Sequence, residues 1–219
     1  MSIQEEIKAH TQAVLNGKMS RDQRSCPKCG TFHGSFRPHE RKRRSFLIIV
    51  GRLVCKMASF LMRWKCLLCN QTFTEYPPFA LPYKRYVKGE VLKFCQRYVE
   101  EDQATYRSKV RVNGMPVCYE GQGEEIDDRQ LVPSTLWRWV DFLGGMKKTL
   151  QEALRLIRQK APSSGIFREI YPIASQKYRS DARRIVLQRC LRLFRAEAEY
   201  RSLFGPSIFL QLATARFFR

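Results

Sequence analysis

Cys26-Pro27-Lys28-Cys29-Gly30 and Cys66-Leu67-Leu68-Cys69-Asn70 are two C-x-x-C pairs separated by 36 residues. Each pair can turn tightly enough for two thiolates to face one ion, and Gly30 and Asn70 tolerate the left-handed backbone that follows such a turn. Two turns of this kind supply the four soft ligands of a closed tetrahedral Zn²⁺ site with no open position for catalysis. A redox-active C-x-x-C or two pairs of buried thiols are the competing readings. The expectation is one structural Zn²⁺ on Cys26, Cys29, Cys66 and Cys69. His33 and His39 are then not needed as ligands and belong at the surface, while Cys55, Cys95, Cys118 and Cys190 read as core thiols.

Around the cysteines the sequence is rich in turns, with β-prone runs at Ser45 to Val54, Phe60 to Lys65 and Thr72 to Tyr76, the short strands of a small zinc ribbon. Ahead of it, Ile3, Ile7, Ala13, Val14 and Leu15 predict a helix that stops near Gly17. Pro77, Pro78 and Pro82 mark an elbow behind it, since each removes a backbone donor. Beyond Gly89 the period becomes helical through Glu101. Residues 102–130, which include Asn113-Gly114, Gly121, Gly123 and the acidic run Glu124, Glu125, Asp127 and Asp128, lose periodicity and read as a loop or small hairpin. Ser134 is the expected N-cap of a short helix that ends at Gly144-Gly145. The remainder is helical, with stripes at Leu150, Ala153, Leu154 and Ile157 and at Leu187, Cys190, Leu191, Phe194 and Ala198, and a last helix expected from Pro206. The fold class is therefore α+β, mostly α. Its segments are an N-terminal helix (1–24), the zinc ribbon (25–83), a helix-turn-helix-like domain (84–145) and a basic helical C-terminal region (146–219).

Charge sharpens this division. The 219 residues carry 40 Lys and Arg against 20 Asp and Glu, a net +20, with enough apolar residues to fill a core. Residues 25–88 and 146–219 are each +11, whereas 89–145 are net −3. In the ribbon, Arg41, Lys42, Arg43 and Arg44 form a dense cationic run joined by Arg37, Arg52, Lys56, Arg63 and Lys65. Such a block can neutralise phosphates and release their counterions; the plainer reading is a solvated run that favours solubility. In the short helix, Leu136, Trp139 and Val140 can face a core while Ser134, Thr135, Trp137 and Arg138 are available to a DNA groove. The connector before it is longer than a usual helix-turn-helix turn, so an ordinary helical core competes with that reading.

The order C-P-x-C-G, basic strands, C-x-x-C-x-x-x-F, then Phe79-Ala80-Leu81-Pro82-Tyr83-Lys84-Arg85-Tyr86 and a Ser-Thr-x-x-Arg-Trp helix resembles the zinc-ribbon plus helix-turn-helix region of bacterial insertion-sequence transposases. It also resembles bacterial proteins that keep only that region. The resemblance covers about residues 20–145. It implies DNA binding, with Cys26, Cys29, Cys66 and Cys69 on zinc and Ser134, Thr135 and Arg138 on a recognition helix. With the basic residues Arg41, Lys42, Arg43, Arg44, Arg52, Lys84 and Arg85, these last three make up the expected nucleic-acid contacts.

A full transposase also needs three carboxylates holding two metal ions on an RNase H-like domain. Beyond residue 145 there are only Glu152, Glu169, Asp181, Glu197 and Glu199, in a segment too short and too helical for that fold. The run at 124–128 lacks ligand spacing and reads as a solvated loop. No phosphate-binding glycine loop, H-E-x-x-H or nucleophile beside a histidine base occurs. The expected protein is a non-enzymatic DNA binder, either an accessory or remnant of a mobile element or a regulator, whose partner is duplex DNA and whose C-terminal helices are the candidate homo-oligomer interface. An RNA-binding ribbon protein and a protein-interaction adaptor are the alternatives. With no secretory signal and no apolar stretch long enough to span a bilayer, the expected location is a bacterial cytoplasm, at the nucleoid, with no membrane partner.

Overall fold

The computed structural model describes residues 1–19, 26–31, 36–50, 53–112, 117–118 and 131–211. Arg52, His33 and the acidic run at 124–128 lie outside the described residues. The chain is α+β and divides into two units within the first turn of its second helix: residues 1–90 with 117–118, and residues 91–112 with 131–211.

The first unit is built on a hairpin. Strand β1 (Phe36–Val50) pairs antiparallel with β2 (Leu53–Cys66), β3 (Thr72–Glu75) pairs with the far end of β2, and the two-residue β4 (Val117–Cys118) runs parallel to its start. The sequence predicts shorter strands, because Arg37 to Arg44 lacks the β-branched and aromatic residues that favour a sheet. Cross-strand pairing overrides that weak preference: Arg41 faces Met62, Lys42 faces Leu61 and Arg43 faces Phe60. A register shift between Pro38 and Glu40 accommodates the proline at a bulge on an outer strand.

Helix α1 (Ile3–Leu15) covers this sheet. Ser2 and Glu5 close a reciprocal capping box at its start, and Asn16 and the left-handed Gly17 (φ 68°) end it where the sequence predicts. Thr11 Oγ1 donates to Ser59 Oγ (2.8 Å) and His10 Nε2 to the Phe60 carbonyl (3.0 Å), so α1 is tied to β2 by polar as well as apolar contacts. Ile7 packs with Phe46, Ile48, Met57, Leu61, Phe79 and Val87, and Val14 packs with Met62, Trp64, Phe73 and two of the cysteines. One helix thereby joins both apolar clusters. Cys55 is half-buried beside the first of them.

The second unit is helical: α2 (Lys88–Glu100), α3 (Tyr106–Val112), α4 (Pro133–Gly144), α5 (Lys147–Lys160), α6 (Asp181–Phe204) and α7 (Ile208–Gln211). Helix α3 falls where periodicity is lost. It has seven residues and starts on a reciprocal cap, Ser108 N–H to Thr105 Oγ1 and Thr105 N–H to Ser108 Oγ, both 3.0 Å. Ser134 does not cap α4. The cap position is Val132 and Pro133 opens the helix, since proline's fixed φ and missing donor suit a first turn. Its other end is as expected, at Gly144 with Gly145 as C-cap. Helix α7 begins two residues past Pro206.

Helix α6 packs along α4 and α5, so the C-terminal helices share a core with α4. Leu136, Trp139, Val140 and Leu143 of α4 and Leu187, Cys190, Leu191 and Phe194 of α6 are buried, as are Cys95 and, on α5, Ala153 and Ile157. The approach is closest at Gly144, where an added Cβ would lie 2.7 Å from Val186 Cγ1 and closer still to the Val186 carbonyl oxygen. Lys177 is buried too. Its ammonium donates to the Tyr98 and Val99 carbonyls (2.7 and 3.3 Å), satisfying acceptors that α2 leaves open at its end, and burial lowers its proton affinity.

The α4–α6 approach tests itself by substitution. Gly144→Ala should lower stability by about 1–3 kcal/mol, because Val186 contributes backbone that cannot step aside. Gly89→Ala in α2, where nothing lies within 4 Å of the new methyl, should leave the melting temperature unchanged or raise it. Thermal denaturation followed by circular dichroism reads both.

Candidate metal centre and cationic groove

The register of the hairpin brings the cysteine pairs together. Cys66 ends β2 opposite Phe36, the first residue of β1, and the turn at 66–69 leads into β3. The Cys66 N–H donates to the Gln71 carbonyl (3.0 Å). In the first turn Cys26 N–H donates to Thr31 (2.7 Å) and Gly30 N–H to the Cys26 carbonyl (2.9 Å). Gly30 (φ 75°) and Asn70 (φ 58°) are both left-handed, as the residue types demand.

The four Sγ atoms all lie within 4.8 Å of one another, with Cys26–Cys69 and Cys29–Cys66 each at 3.8 Å. An ion with metal–sulfur bonds of about 2.3 Å at a tetrahedral centre has sulfur–sulfur edges of about 3.8 Å. Two of the six edges match that value and the rest are no longer than 4.8 Å, so the cluster could hold a metal ion. Cys26 and Cys66 are buried against Trp64 and Phe73, Cys69 is half-buried and Cys29 is exposed.

The proton affinities of the thiols diverge. Burial opposes ionisation of Cys66, but the backbone N–H groups of Cys69 and Leu68, aided by the Cys69 and Cys29 thiols, bring it down to about 7. Cys29 moves the other way: the Thr31 backbone favours its thiolate, yet desolvation and hydrogen bonds with the other three sulfurs push it up to about 12. Four adjacent thiolates repel one another, and a cation among them removes that repulsion.

Further along the hairpin, a groove of about 760 Å³ is lined by Lys42, Arg43, Arg44, Lys56, Arg85, Tyr76 and Tyr83, with Ser45, Leu61 and Thr74. Five cations and no acid face it among the described residues. Neither acid of residues 25–88 is among the lining residues. Glu40 accepts from Arg63 Nη1 (2.7 Å), which holds its carboxyl below the usual carboxylate range, and Glu75 accepts from Trp64 Nε1 (2.7 Å).

The four consecutive cations of β1 are not equivalent. Arg41 Nη1 reaches the Leu15 carbonyl at the end of α1 (3.3 Å), and Arg44 Nη2 donates to the Lys84 carbonyl (2.9 Å) with its guanidinium 5.7 Å from the Tyr76 ring. Both tie β1 to neighbouring chain. Lys42 and Arg43 are exposed, as is Arg85, whose carbonyl accepts from Leu47 N–H (2.9 Å). Lys84 is half-buried and His39 is exposed. The structure thus gathers Lys42, Arg43, Arg44 and Arg85 at one groove with Lys56, which the sequence already joins to the cationic run, and with Tyr76 and Tyr83, which it does not.

In the helical unit, Ser134 and Arg138 are exposed on one flank of α4 and Thr135 is half-buried. The adjacent flank is covered by Arg183 of α6. Its guanidinium lies 4.7 Å from the Trp137 ring and donates to Asp141 Oδ1 (3.4 Å) and to the Tyr106 hydroxyl. Trp137 is thereby partly held within the unit. Helices α2 and α3 are joined by residues 101–105 alone, a shorter link than the one preceding α4.

Compared with family models, curated proteins and solved structures, the chain matches none. Among the described residues, no helix is long and apolar enough to cross a membrane.

Cys29→Ser removes a ligand and, because Cys29 is exposed, little packing. The unaltered chain should carry one tightly held divalent ion and this variant none, read by elemental content, and a strong chelator should reproduce the loss of thermal stability in the unaltered chain alone.

Proposed function

We propose that this chain is a zinc-stabilised, non-enzymatic DNA-binding protein in which the β1–β2 hairpin supplies phosphate contacts and the exposed flank of α4 supplies base contacts. The observation that carries this reading is the groove on the β1–β2 hairpin, where five cations converge and no acid is among the lining residues. Charged edge residues that merely discourage sheet-to-sheet pairing need no such convergence.

Zinc suits the donor set, since four soft thiolates in a tetrahedral arrangement favour it over hard cations. A closed four-sulfur set has no position for a reacting water, so the ion's role is to hold the hairpin end. A two-stranded ribbon can enter a major groove, and strands of this length extend roughly 45 Å. Ser134, Thr135 and Arg138 lie in the first half of α4, where helix-turn-helix proteins place their base contacts. The order of these parts, with its likeness to transposase DNA-binding regions, supports a place in a mobile-element system or a regulator built from the same module, at the bacterial nucleoid.

Binding to a duplex followed by fluorescence anisotropy over a salt series tests the reading. Affinity should fall linearly on a log–log plot with a slope of about −0.9 per phosphate contacted. Lys42→Glu combined with Arg43→Glu should weaken binding at least about tenfold and reduce the slope by about 2. These two are chosen because Arg41 and Arg44 also hold the fold. Salt-independent binding, indifference to the double reversal, or displacement of the duplex by RNA of equal length would overturn it.

A further inference from the structure

Tyr83 is the least economical residue in the first unit. It adopts φ 62°, a left-handed conformation that bulky side chains rarely take, and the residue is 66% exposed, so the fold gains little burial in return. The other left-handed positions among the described residues are Gly17, Gly30, Gly205 and Asn70, the types that adopt this backbone at low cost.

The loop that carries Tyr83 is tightly held. Phe79, Ala80, Leu81, Tyr86 and Val87 are buried. Lys84 N–H closes a turn onto the Leu81 carbonyl (3.2 Å), Val87 N–H donates to Leu47 (3.0 Å), and Arg44 grips the Lys84 carbonyl. The ring is therefore presented on a fixed backbone. It stands 6.4 Å from the Tyr76 ring at 58°, a half-open pair of aromatic walls over the cationic floor.

We infer that this groove takes an unpaired nucleotide of the bound DNA, its base stacked on Tyr83 and its flanking phosphates on Lys42, Arg43, Lys56 and Arg85. A base inside a duplex has both faces covered by its neighbours and cannot stack on a protein ring. A cationic track beside exposed aromatics is the arrangement that holds single strands. The volume of about 760 Å³ lies within the roughly 300–1,000 Å³ range of pockets that enclose small ligands. The inference rests on the nucleic-acid reading above and goes beyond it, because duplex phosphate contacts alone require the cations and not the ring.

The test compares a blunt duplex, the same duplex with a short single-stranded overhang, and the isolated strand, each against the zinc-loaded full chain. The unaltered protein should bind the overhang and the isolated strand more tightly than the blunt duplex. Tyr83→Ala should weaken binding to the two unpaired substrates about 5- to 150-fold, the equivalent of about 1–3 kcal/mol for one stacked base, and leave the blunt duplex and the salt slope unchanged. Tyr83→Phe should retain the preference. Tyr83→Gly should raise the melting temperature by relieving the backbone while losing the preference, which separates a binding role from a structural one. Salt-dependent binding with no preference for unpaired substrates, or with equal losses on all three substrates in Tyr83→Ala, overturns this inference and leaves the DNA reading standing. Absence of salt-dependent binding to any of the three overturns both.

Discussion

Pairing of Phe36 with Cys66 at the open end of the β1–β2 hairpin is the constraint on which the first unit depends. It places a cysteine turn at the end of each strand path, so sulfurs far apart in sequence come within 4.8 Å of one another. The same register sets Lys42 and Arg43 against Leu61 and Phe60, which gives the cationic stretch an apolar partner strand and keeps it extended. Both the metal cluster and the groove thus follow from one alignment of strands. A slip by a single residue would turn every side chain of β1 to the opposite face and disperse both.

The second unit rests on a different economy. Its helices meet through a glycine, with Gly144 against the backbone of Val186, and through two cations that end inside the fold: Lys177 on the last carbonyls of α2 and Arg183 between Trp137, Asp141 and Tyr106. Positive charge is therefore used in two ways in this protein. Some of it is consumed in holding helices and loops, as with Arg41 and Arg44 in the hairpin, and some faces solvent at the groove. The net charge of the chain does not distinguish the two.

The local devices could be read from residue types alone. The cysteine turns with Gly30 and Asn70, the end of α1 at Gly17, the end of α4 at Gly144-Gly145 and the helical stripes of α5 and α6 all depend on contacts within a few residues, which spacing records directly. Helix α3 escaped because seven residues show too little period; its one visible signal was the Thr105-x-x-Ser108 cap. The extent of β1 escaped because a strand made of arginines and lysines is extended by its partner and not by its own propensity.

By itself the sequence determined the four-cysteine set, the division into a β-rich and a helical part, and the excess of positive charge around the cysteines, since each follows from residue identity and short-range spacing. Only the tertiary structure decided which cations face the groove, that Tyr83 stands exposed on a strained backbone beside them, and that α4 shares its core with the C-terminal helices. Those features depend on where distant segments meet, on Leu47 pairing with the chain around Tyr86 and on Gly144 meeting Val186, and long-range packing leaves no periodic trace in the residues that create it.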